Sequence, residues 1–393
     1  MASVILAQEK MLKYLLTLFV FVGFPLLTYG TDLVGDKSTV EKAVVLEVMN
    51  ETSTKIPGTD VVGTEQTLKI QIIQGEEKGK ILQVVNDYNI FKGGDELYVG
   101  HNIRSEDGYE SYVVNDAYRI PTILFFVVLF VLLVILVGGI QGVRGLLSLI
   151  GSLALILFVL LPSITAGYSP VVVSIIVSSF IIILGSYITH GFNKTTTSAV
   201  IGMIVTVIIT GILATLAVHS AKLTGLSSDD AVYLNFNSRG SIDVVGVLLG
   251  GIMIGFLGVL YDIAIGQAIA VEELHTIAPH VSKFAIYKRA IRIGREHIGA
   301  LVNTLAIAYV GASLPLLLLF SDSGAEIVQI VNREVFSAEI LRALIGSIGL
   351  VLAVPITTLI TVYILFRNKS KVGNEIIQKE MEEIKHHNHS HSH

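Results

Sequence analysis

The sequence predicts an α-helical polytopic membrane protein with a small extracytoplasmic β-barrel-like domain of the OB or SH3-like kind. A polar segment rich in β-branched residues precedes residue 120. Apolar runs of roughly 18 to 25 residues follow it, each long enough to cross a hydrocarbon core of about 30 Å. Hydrophobic residues make up 52% of the 393 residues and charged residues only 15%, which lies outside the usual composition of soluble domains.

Residues 1–31 are predicted to be a signal peptide or a signal anchor. Lys10 and Lys13 precede an apolar run at residues 14–27, and Thr28 and Gly30 offer small residues at positions −3 and −1 of a cleavage site. The run is short for a spanning helix, yet it does not exclude an uncleaved anchor. The sequence leaves both alternatives open.

Residues 32–119 are predicted to form the β domain. Segments with strand patterns, separated by turns, lie at residues 40–48, 66–73, 81–85, 96–99 and 108–114. Several short strands at this spacing predict a small barrel. The domain is either a module that binds a ligand or partner, or an element that only packs on the membrane domain.

Residues 120–366 are predicted to form a seven-helix transmembrane domain. The predicted spans are residues 121–140, 146–161, 171–188, 199–218, 244–263, 298–319 and 340–365. Lys and Arg concentrate in alternate gaps and after the last span. The positive-inside rule therefore predicts that those gaps and the C-terminus are cytoplasmic and that the β domain lies outside the cell membrane.

Irregular features are expected within this domain. Residues 281–294 are amphipathic and basic, which predicts a separate helix at the membrane interface. Pro162, Pro315 and Pro355 are expected to interrupt or end helices because proline lacks the backbone N–H. The fifth span contains the GxxxG pairs Gly246/Gly250 and Gly251/Gly255, which predict close packing against other helices.

Polar residues cluster where the fifth span ends and the sixth begins. They are Asp262, Gln267, Glu273, Glu296, His297, Asn303 and Thr304. Polar groups near lipid are costly and commonly functional, so we predict that this cluster binds an ion or a small substrate. Asp262 is expected within side-chain reach of Asn303 or Glu296. The alternative is that Arg295 pairs with Glu296 or Asp262 at the interface.

The C-terminal segment, residues 367–393, is predicted to be a cytoplasmic tail. Its histidines are His386, His387, His389, His391 and His393. Imidazole clusters bind zinc, copper or nickel, and a disordered tail without a dedicated metal is the alternative. The chain contains no cysteine, which excludes disulfides and thiolate metal sites.

Two runs resemble the YibE/F-like family of bacterial multi-pass membrane proteins. They are residues 246–274 (GVLLGGIMIGFLGVLYDIAIGQAIAVEEL) and 294–317 (GREHIGALVNTLAIAYVGASLPLL). The positions that match the family's pattern are Asp262, Gln267, Glu273, Glu296, His297, Asn303, Thr304 and Pro315. The resemblance covers most of residues 120–366, and the β domain is similar to the family's extracytoplasmic part. It implies a multi-pass architecture, with export or transport as the activity to be tested.

The leading functional hypothesis is a secondary transporter or permease-like protein that is coupled to ions or protons. The chain has no GxxxxGK[ST] loop, HExxH motif or GxSxG motif, so we expect no ATPase of its own, no enzyme activity and no cofactor.

The alternative is a non-transporting membrane scaffold or assembly factor. Expected partners are the lipid bilayer and a small solute or ion; a homo-oligomer is left open. No basic stripe predicts nucleic-acid binding.

Overall fold

A computed structural model describes residues 37–55, 62–87, 89–104, 108–321, 324 and 326–389. The predicted signal peptide or anchor lies outside these residues. The chain divides between Gly138 and Gly139 into two compact units, one that contains the β domain and one that is helical.

The β domain is one antiparallel half-barrel. Its strands are β1 (Lys37–Lys55), β2 (Val62–Gln74), β3 (Ile81–Asn86), β4 (Glu96–Ile103) and β5 (Glu110–Ala117). The strand order is β3-β2-β1-β4-β5, and β3 also approaches β5 across the open side. All five segments predicted as strands are strands, although β1 extends further in both directions than the sequence pattern indicated.

Alternation of side chains gives the half-barrel its core. On β2, Leu68, Ile70 and Ile72 are at most 1% exposed, and the residues between them are half-buried. This period of two is what a strand with one face on a core requires. The register of β1 against β2 shifts near Val45 and Val48. Such bulges bend a strand. β1 pairs with β2 on one side and with β4 on the other.

Helices make up the rest of the chain. They are α1 (Ile120–Leu155), a π-helical turn (Ile156–Leu160), α2 (Leu161–Thr165), α3 (Pro170–His190), α4 (Lys194–Ser220), α5 (Asp229–Asn237), α6 (Val244–Gly255), α7 (Leu257–Ile277), α8 (Lys283–Ala312), α9 (Leu314–Ser321), α10 (Ile327–Val331) and α11 (Glu334–His389). The π turn directly precedes Pro162, whose missing N–H leaves a carbonyl of the preceding turn without its helical donor.

Several helices have the length and composition of membrane spans. Within the described residues, five helical segments qualify: Ile120–Thr165, Pro170–His190, Lys194–Ser220, Val244–Ile277 and Glu334–Phe366. The bent pair Lys283–Ala312 and Leu314–Ser321 raises the number to six if it forms one span. These helices are consistent with a multi-pass membrane protein. The number of crossings stays a prediction.

The first of these segments is longer than one crossing needs. Its 46 residues extend over roughly 70 Å at about 1.5 Å per residue. Gly139 interrupts the helical backbone with φ 54° and ψ −139°, a conformation that favours glycine. A break between the first two predicted spans is therefore present, but its expected position at residues 141–145 is wrong, because it lies at Gly139 and the helix continues through those residues.

Two other expectations about helix ends are also wrong. Residues 281–294 do not form a separate interfacial helix, since α8 runs without interruption from Lys283 to Ala312. The chain instead bends by 64° between α8 and α9, next to Pro315. Pro355 lies inside α11 without ending it. Proline removes one backbone hydrogen bond from the helix. The helix nevertheless continues, and it packs against α4, α7 and α8.

The helical core lies among α4, α7, α8 and α11. Its largest fully buried side chains include Met203, Phe256, Leu260 and Leu350. Glycine allows α4 and α11 to approach closely: a Cβ on Gly202 would lie 2.6 Å from Thr357 Oγ1. Small residues at helix crossings are typical of membrane proteins, where packing rather than water exclusion drives association.

Candidate functional site

Gln267 is the one member of the predicted polar cluster that is buried. It lies on α7 with 3% exposure. Its Nε2 donates to the Ala290 carbonyl oxygen and to Thr358 Oγ1, both at 2.8 Å. The amide thus connects α7, α8 and α11. A buried donor needs such partners, so the geometry gives Gln267 a role in holding three helices together.

Helix α8 turns its small residues toward this amide. A Cβ on Gly294 would lie 2.5 Å from Val354 Cγ1 and 2.8 Å from Gln267 Oε1, so the backbone of α8 lies close to α7 and α11 there. Glu296 and Asn303 share one face of α8, as their spacing predicts. Asn303 lies about half a turn around the axis from Gly294, and both polar residues are exposed.

The remaining members of the predicted cluster are also exposed in the single chain. They are Asp262, Glu273, His297 and Thr304. Thr304 Oγ1 donates to the carbonyl oxygen of Ala300 on its own helix, at 2.9 Å. Among the described residues, no hydrogen bond joins Asp262 to Asn303 and no ion pair joins Arg295 to Glu296 or Asp262. Use of this cluster for binding stays a prediction.

The glycines of α6 contact different neighbours. A Cβ on Gly246 would lie 3.0 Å from Pro170 Cδ, and one on Gly250 would lie 2.5 Å from Ser174 Oγ, so both residues pack against α3. Gly255 faces Tyr309 of α8, with its hydroxyl 2.6 Å from the added Cβ. Gly251 meets nothing within 4 Å. The Gly246/Gly250 pair therefore forms one packing face, whereas the second pair does not.

A cavity of about 210 Å³ lies where the turn between α3 and α4 meets α7. It is lined by His190, Asn193, Thr195, Thr196, Ile265, Ala268, Ile269 and Glu272. At roughly 30 Å³ per water molecule, it holds several waters or a small solute. The turn contributes polar side chains, and α7 contributes three aliphatic residues together with Glu272; binding pockets commonly combine apolar walls with a few polar groups.

Local sequence fixes the polar wall of this cavity. Gly191 ends α3 with φ 74°, a left-handed conformation that favours glycine. Asn193 then caps α4, with its side-chain oxygen accepting from the Thr196 amide at 2.6 Å. Thr195 is 5% exposed, and its hydroxyl has no hydrogen-bond partner. His190 lies between the predicted spans 171–188 and 199–218, and the sequence pattern does not connect it to Glu272.

Buried polar residues in the helical unit are uncharged. Within its described part they are Ser174, Ser178, Ser186, Thr195, Thr196, Ser198, Thr206, Thr210, Gln267, Thr357, Thr358 and Thr361. Some hydroxyls are paired, as between Ser198 and Thr361 at 2.9 Å. Others have no partner, including Thr210 and Thr357. Hydroxyls are less costly to bury than charges. The described interior of the helical unit is therefore polar at these positions but contains no ionisable side chain.

The half-barrel contains a separate cluster of charged and aromatic residues. Glu77 accepts from Lys80 Nζ and from Tyr112 Oη, both at 2.6 Å. The Lys80 ammonium lowers the pKa of the Glu77 carboxyl, with a further contribution from Tyr112. Glu77 in turn raises the pKa of Lys80. Burial, followed by the bond to Glu77, raises the pKa of Tyr112 to about 12.

Two further side chains complete this cluster. His101 stacks on the Tyr112 ring with centroids 4.5 Å apart. Glu41 lies beneath the turn between β2 and β3, where its Oε1 accepts from the Glu77 amide at 3.3 Å. Sequence analysis did not identify these residues, because they come from β1, a turn and β4.

The predicted histidine cluster of the tail lies partly beyond the described residues. α11 continues to His389, so that His386, His387 and His389 are at the end of this helix. His391 and His393 fall outside the described part of the chain. Metal binding by the tail stays a prediction.

Comparison with known proteins assigns the family. No curated protein and no solved structure matches the chain. The family described as YibE/F-like protein matches residues 126–367, which include α3, α4, α6, α7 and α8 with the cavity between them. Because this match covers more than half of the sequence, the chain belongs to the YibE/F-like family.

Proposed function

We propose that the helical unit is a secondary transporter of a small solute or ion. The observation that carries this proposal is the cavity lined by His190, Asn193, Thr195 and Glu272. It combines a titratable base, a carboxylate and a buried hydroxyl without a partner. Such groups are able to bind a polar solute or a cation, and His190 and Glu272 are able to exchange protons with it.

Neutral polar residues support a path for the solute that continues beyond the cavity. Thr195, Thr206 and Thr210 recur on one side of α4, and each is at most 5% exposed. Across from them, α11 contributes Thr357 and Thr361, which are fully buried. Hydroxyls replace the hydration of a solute at low energetic cost. The same residues serve close helix packing, so a functional test must separate packing from transport.

Flux measurements in proteoliposomes test the proposal. We expect Glu272→Gln to lower the transport rate by at least about tenfold, the change that corresponds to losing about 1.4 kcal/mol of transition-state stabilisation. Glu273→Gln is the matched control, because Glu273 is the next residue and is exposed like Glu272, but does not line the cavity. Thr195→Val should also reduce flux, and Thr304→Val, at an exposed threonine, should not.

The outcome also distinguishes the cavity from the cluster predicted from sequence. Loss of flux in Glu273→Gln, Asp262→Asn and Glu296→Gln, with normal flux in Glu272→Gln, would assign transport to the exposed residues instead. Equal flux in all of these variants, each with wild-type thermal stability, would remove the carboxylates from the mechanism.

A non-transporting scaffold is the second candidate. It is supported by the polar residues of α8 beyond its basic first half, where Glu296, His297 and Asn303 are exposed. Exposed polar residues of this kind suit a protein partner or a second copy of the chain. Capture of a stoichiometric partner that Asn303→Leu abolishes, together with no detectable flux, would favour the scaffold.

The proposed orientation places the half-barrel outside the cell membrane and the C-terminus in the cytoplasm. Lys and Arg after α7 and after the last apolar segment support it. Reporter fusions at Asn115 and after His393 should report opposite compartments. The same compartment for both would overturn the odd number of crossings between them.

A further inference from the structure

Glu41, Glu77 and His101 of the half-barrel are arranged as ligands. One donor atom from each lies within 4.8 Å of the others. Among the described residues, this is the one group of three or more such side chains close enough to hold a metal ion. We propose that these three residues form a binding site for a first-row divalent transition metal ion, with Zn²⁺ as the representative ion.

The burial of Glu41 favours a bound cation beside it. This side chain is 2% exposed, and its Oε2 has no hydrogen-bond partner. An ionised carboxylate away from water is costly unless it is paired or coordinates a metal. The Lys80 ammonium does not bind Glu41, because its bonds go to Glu77 and Tyr112.

The turn between β2 and β3 holds Glu41 in place. Gly75 has φ 129°, and a Cβ there would lie 2.8 Å from Glu41 Cγ and 2.9 Å from its Cδ. Both the backbone conformation and the lack of space favour glycine at this position. The turn therefore covers the Glu41 side chain and brings Glu77 to the same site.

The imidazole of His101 has the surroundings of a metal ligand. Its ring is buried, with Nδ1 3.9 Å from Glu77 Oε2 and Nε2 3.5 Å from Glu110 Oε2. Donors that surround Zn²⁺ tetrahedrally at about 2.0–2.2 Å are roughly 3.3–3.6 Å apart. Nδ1 and Glu77 need to approach by only a few tenths of an ångström to share an ion. Glu110 then accepts from Nε2–H, as outer carboxylates do at zinc sites.

The donor set selects the class of metal. One imidazole and two carboxylates suit zinc and its first-row neighbours, whereas Mg²⁺ and Ca²⁺ prefer oxygen ligands alone. The chain has no cysteine, so copper(I) lacks the thiolate ligands that it favours. Water completes a four-coordinate shell.

Zinc titration of the purified full-length protein tests this site. All proteins compared should carry alanine at the five tail histidines, so that the tail does not contribute. We expect one Zn²⁺ per chain, with binding weakened at least about tenfold in Glu41→Gln and in His101→Gln, the lower end of effects seen when groups around a metal are removed. Excess Mg²⁺ should not compete.

Glu47→Gln is the matched control, because Glu47 lies on the same strand as Glu41 and is exposed. It should bind Zn²⁺ like the parent protein. If Glu41→Gln fails to fold, Glu77→Gln at the more exposed ligand replaces it in the comparison. Unchanged zinc stoichiometry and affinity in a folded variant of either glutamate would overturn the proposal. So would displacement of Zn²⁺ by Mg²⁺.

Discussion

The half-barrel and the helical unit bury polar groups of different kinds. The half-barrel encloses Glu41 and His101, together with the amides Gln66 and Asn86. Within the described part of the helical unit, every buried polar side chain is a serine, a threonine or Gln267. Charge is therefore kept inside the β domain and at the surface of the helices. This difference underlies the metal site that we propose in one unit and the solute path that we propose in the other.

Replacement of Gln66 should lower stability more than any of the substitutions that follow. Gln66 is 1% exposed, its Oε1 accepts from the Phe91 amide at 2.8 Å, and its Nε2 donates to Glu51 at 2.9 Å. Gln66→Leu leaves the Phe91 N–H without a partner, at a cost of about 3 kcal/mol. Hydrogen exchange should report easier opening of β2. Gln83→Leu, at an exposed glutamine of β3, should leave exchange unchanged.

Replacement of Gln267, the buried amide of the helical unit, should lower stability somewhat less. Gln267→Leu removes two hydrogen bonds but leaves Thr358 Oγ1 bonded to the Val354 carbonyl oxygen. We therefore expect a loss of about 1–3 kcal/mol, seen as a lower thermal unfolding temperature in detergent. Gln329→Leu, at an exposed glutamine of α10, is the control. Equal melting of the two variants would show that Gln267 does not hold the helices together.

Helix packing gives a third test. An added methyl group at Gly202 meets both the side chain and the Cα of Thr357, at 2.6 and 3.0 Å. Gly202→Ala should destabilise the helical unit by about 1–3 kcal/mol through overpacking. Gly251→Ala meets nothing, and should be neutral or stabilising because alanine favours the helix. Thermal unfolding of the two variants side by side checks this order.

A change of pH should have the smallest effect on the stability of the half-barrel. The pKa of Glu77 is lowered from its ordinary value of 4.5, first by Lys80 and then by Tyr112. Its contribution to the stability of the half-barrel is therefore complete above pH 4.5 and is lost as the pH falls through the lowered pKa. Lys80→Met should weaken this acid dependence in hydrogen exchange of β4 and β5. An unchanged profile would contradict the role of Lys80.

The sequence predicted the elements better than it predicted their contacts. Alternating residues such as Leu68 and Ile70 specify a strand with one buried face, and long apolar runs specify the helices. The orientation of α8 was not accessible from the sequence, because Gly294 gives no hydrophobic signal although it packs tightly against Val354 and Gln267. Polar residues therefore suggested a site between α7 and α8 that the structure leaves on the surface.

Both sites that the structure offers combine distant parts of the chain. His190 and Glu272 come from the end of α3 and from α7, and each is unremarkable within its own segment. Glu41, Glu77 and His101 come from two strands and a turn. Pairing of β1 with β4 places Glu41 opposite Val99, close to His101. Such neighbours depend on strand register, and register is not contained in the pattern of any single strand.

The continuity of α8 has a mechanical consequence. A helix without a break is expected to move as one unit, and the tight contact of Gly294 with Val354 and Gln267 is its expected pivot. The basic arm from Lys283 to Gly294 extends over roughly 17 Å, and the apolar arm from Gly294 to Ala312 over roughly 27 Å, at about 1.5 Å per residue. A small tilt of the basic arm therefore displaces the other end, with Tyr309 on it, in the opposite direction and by a greater distance.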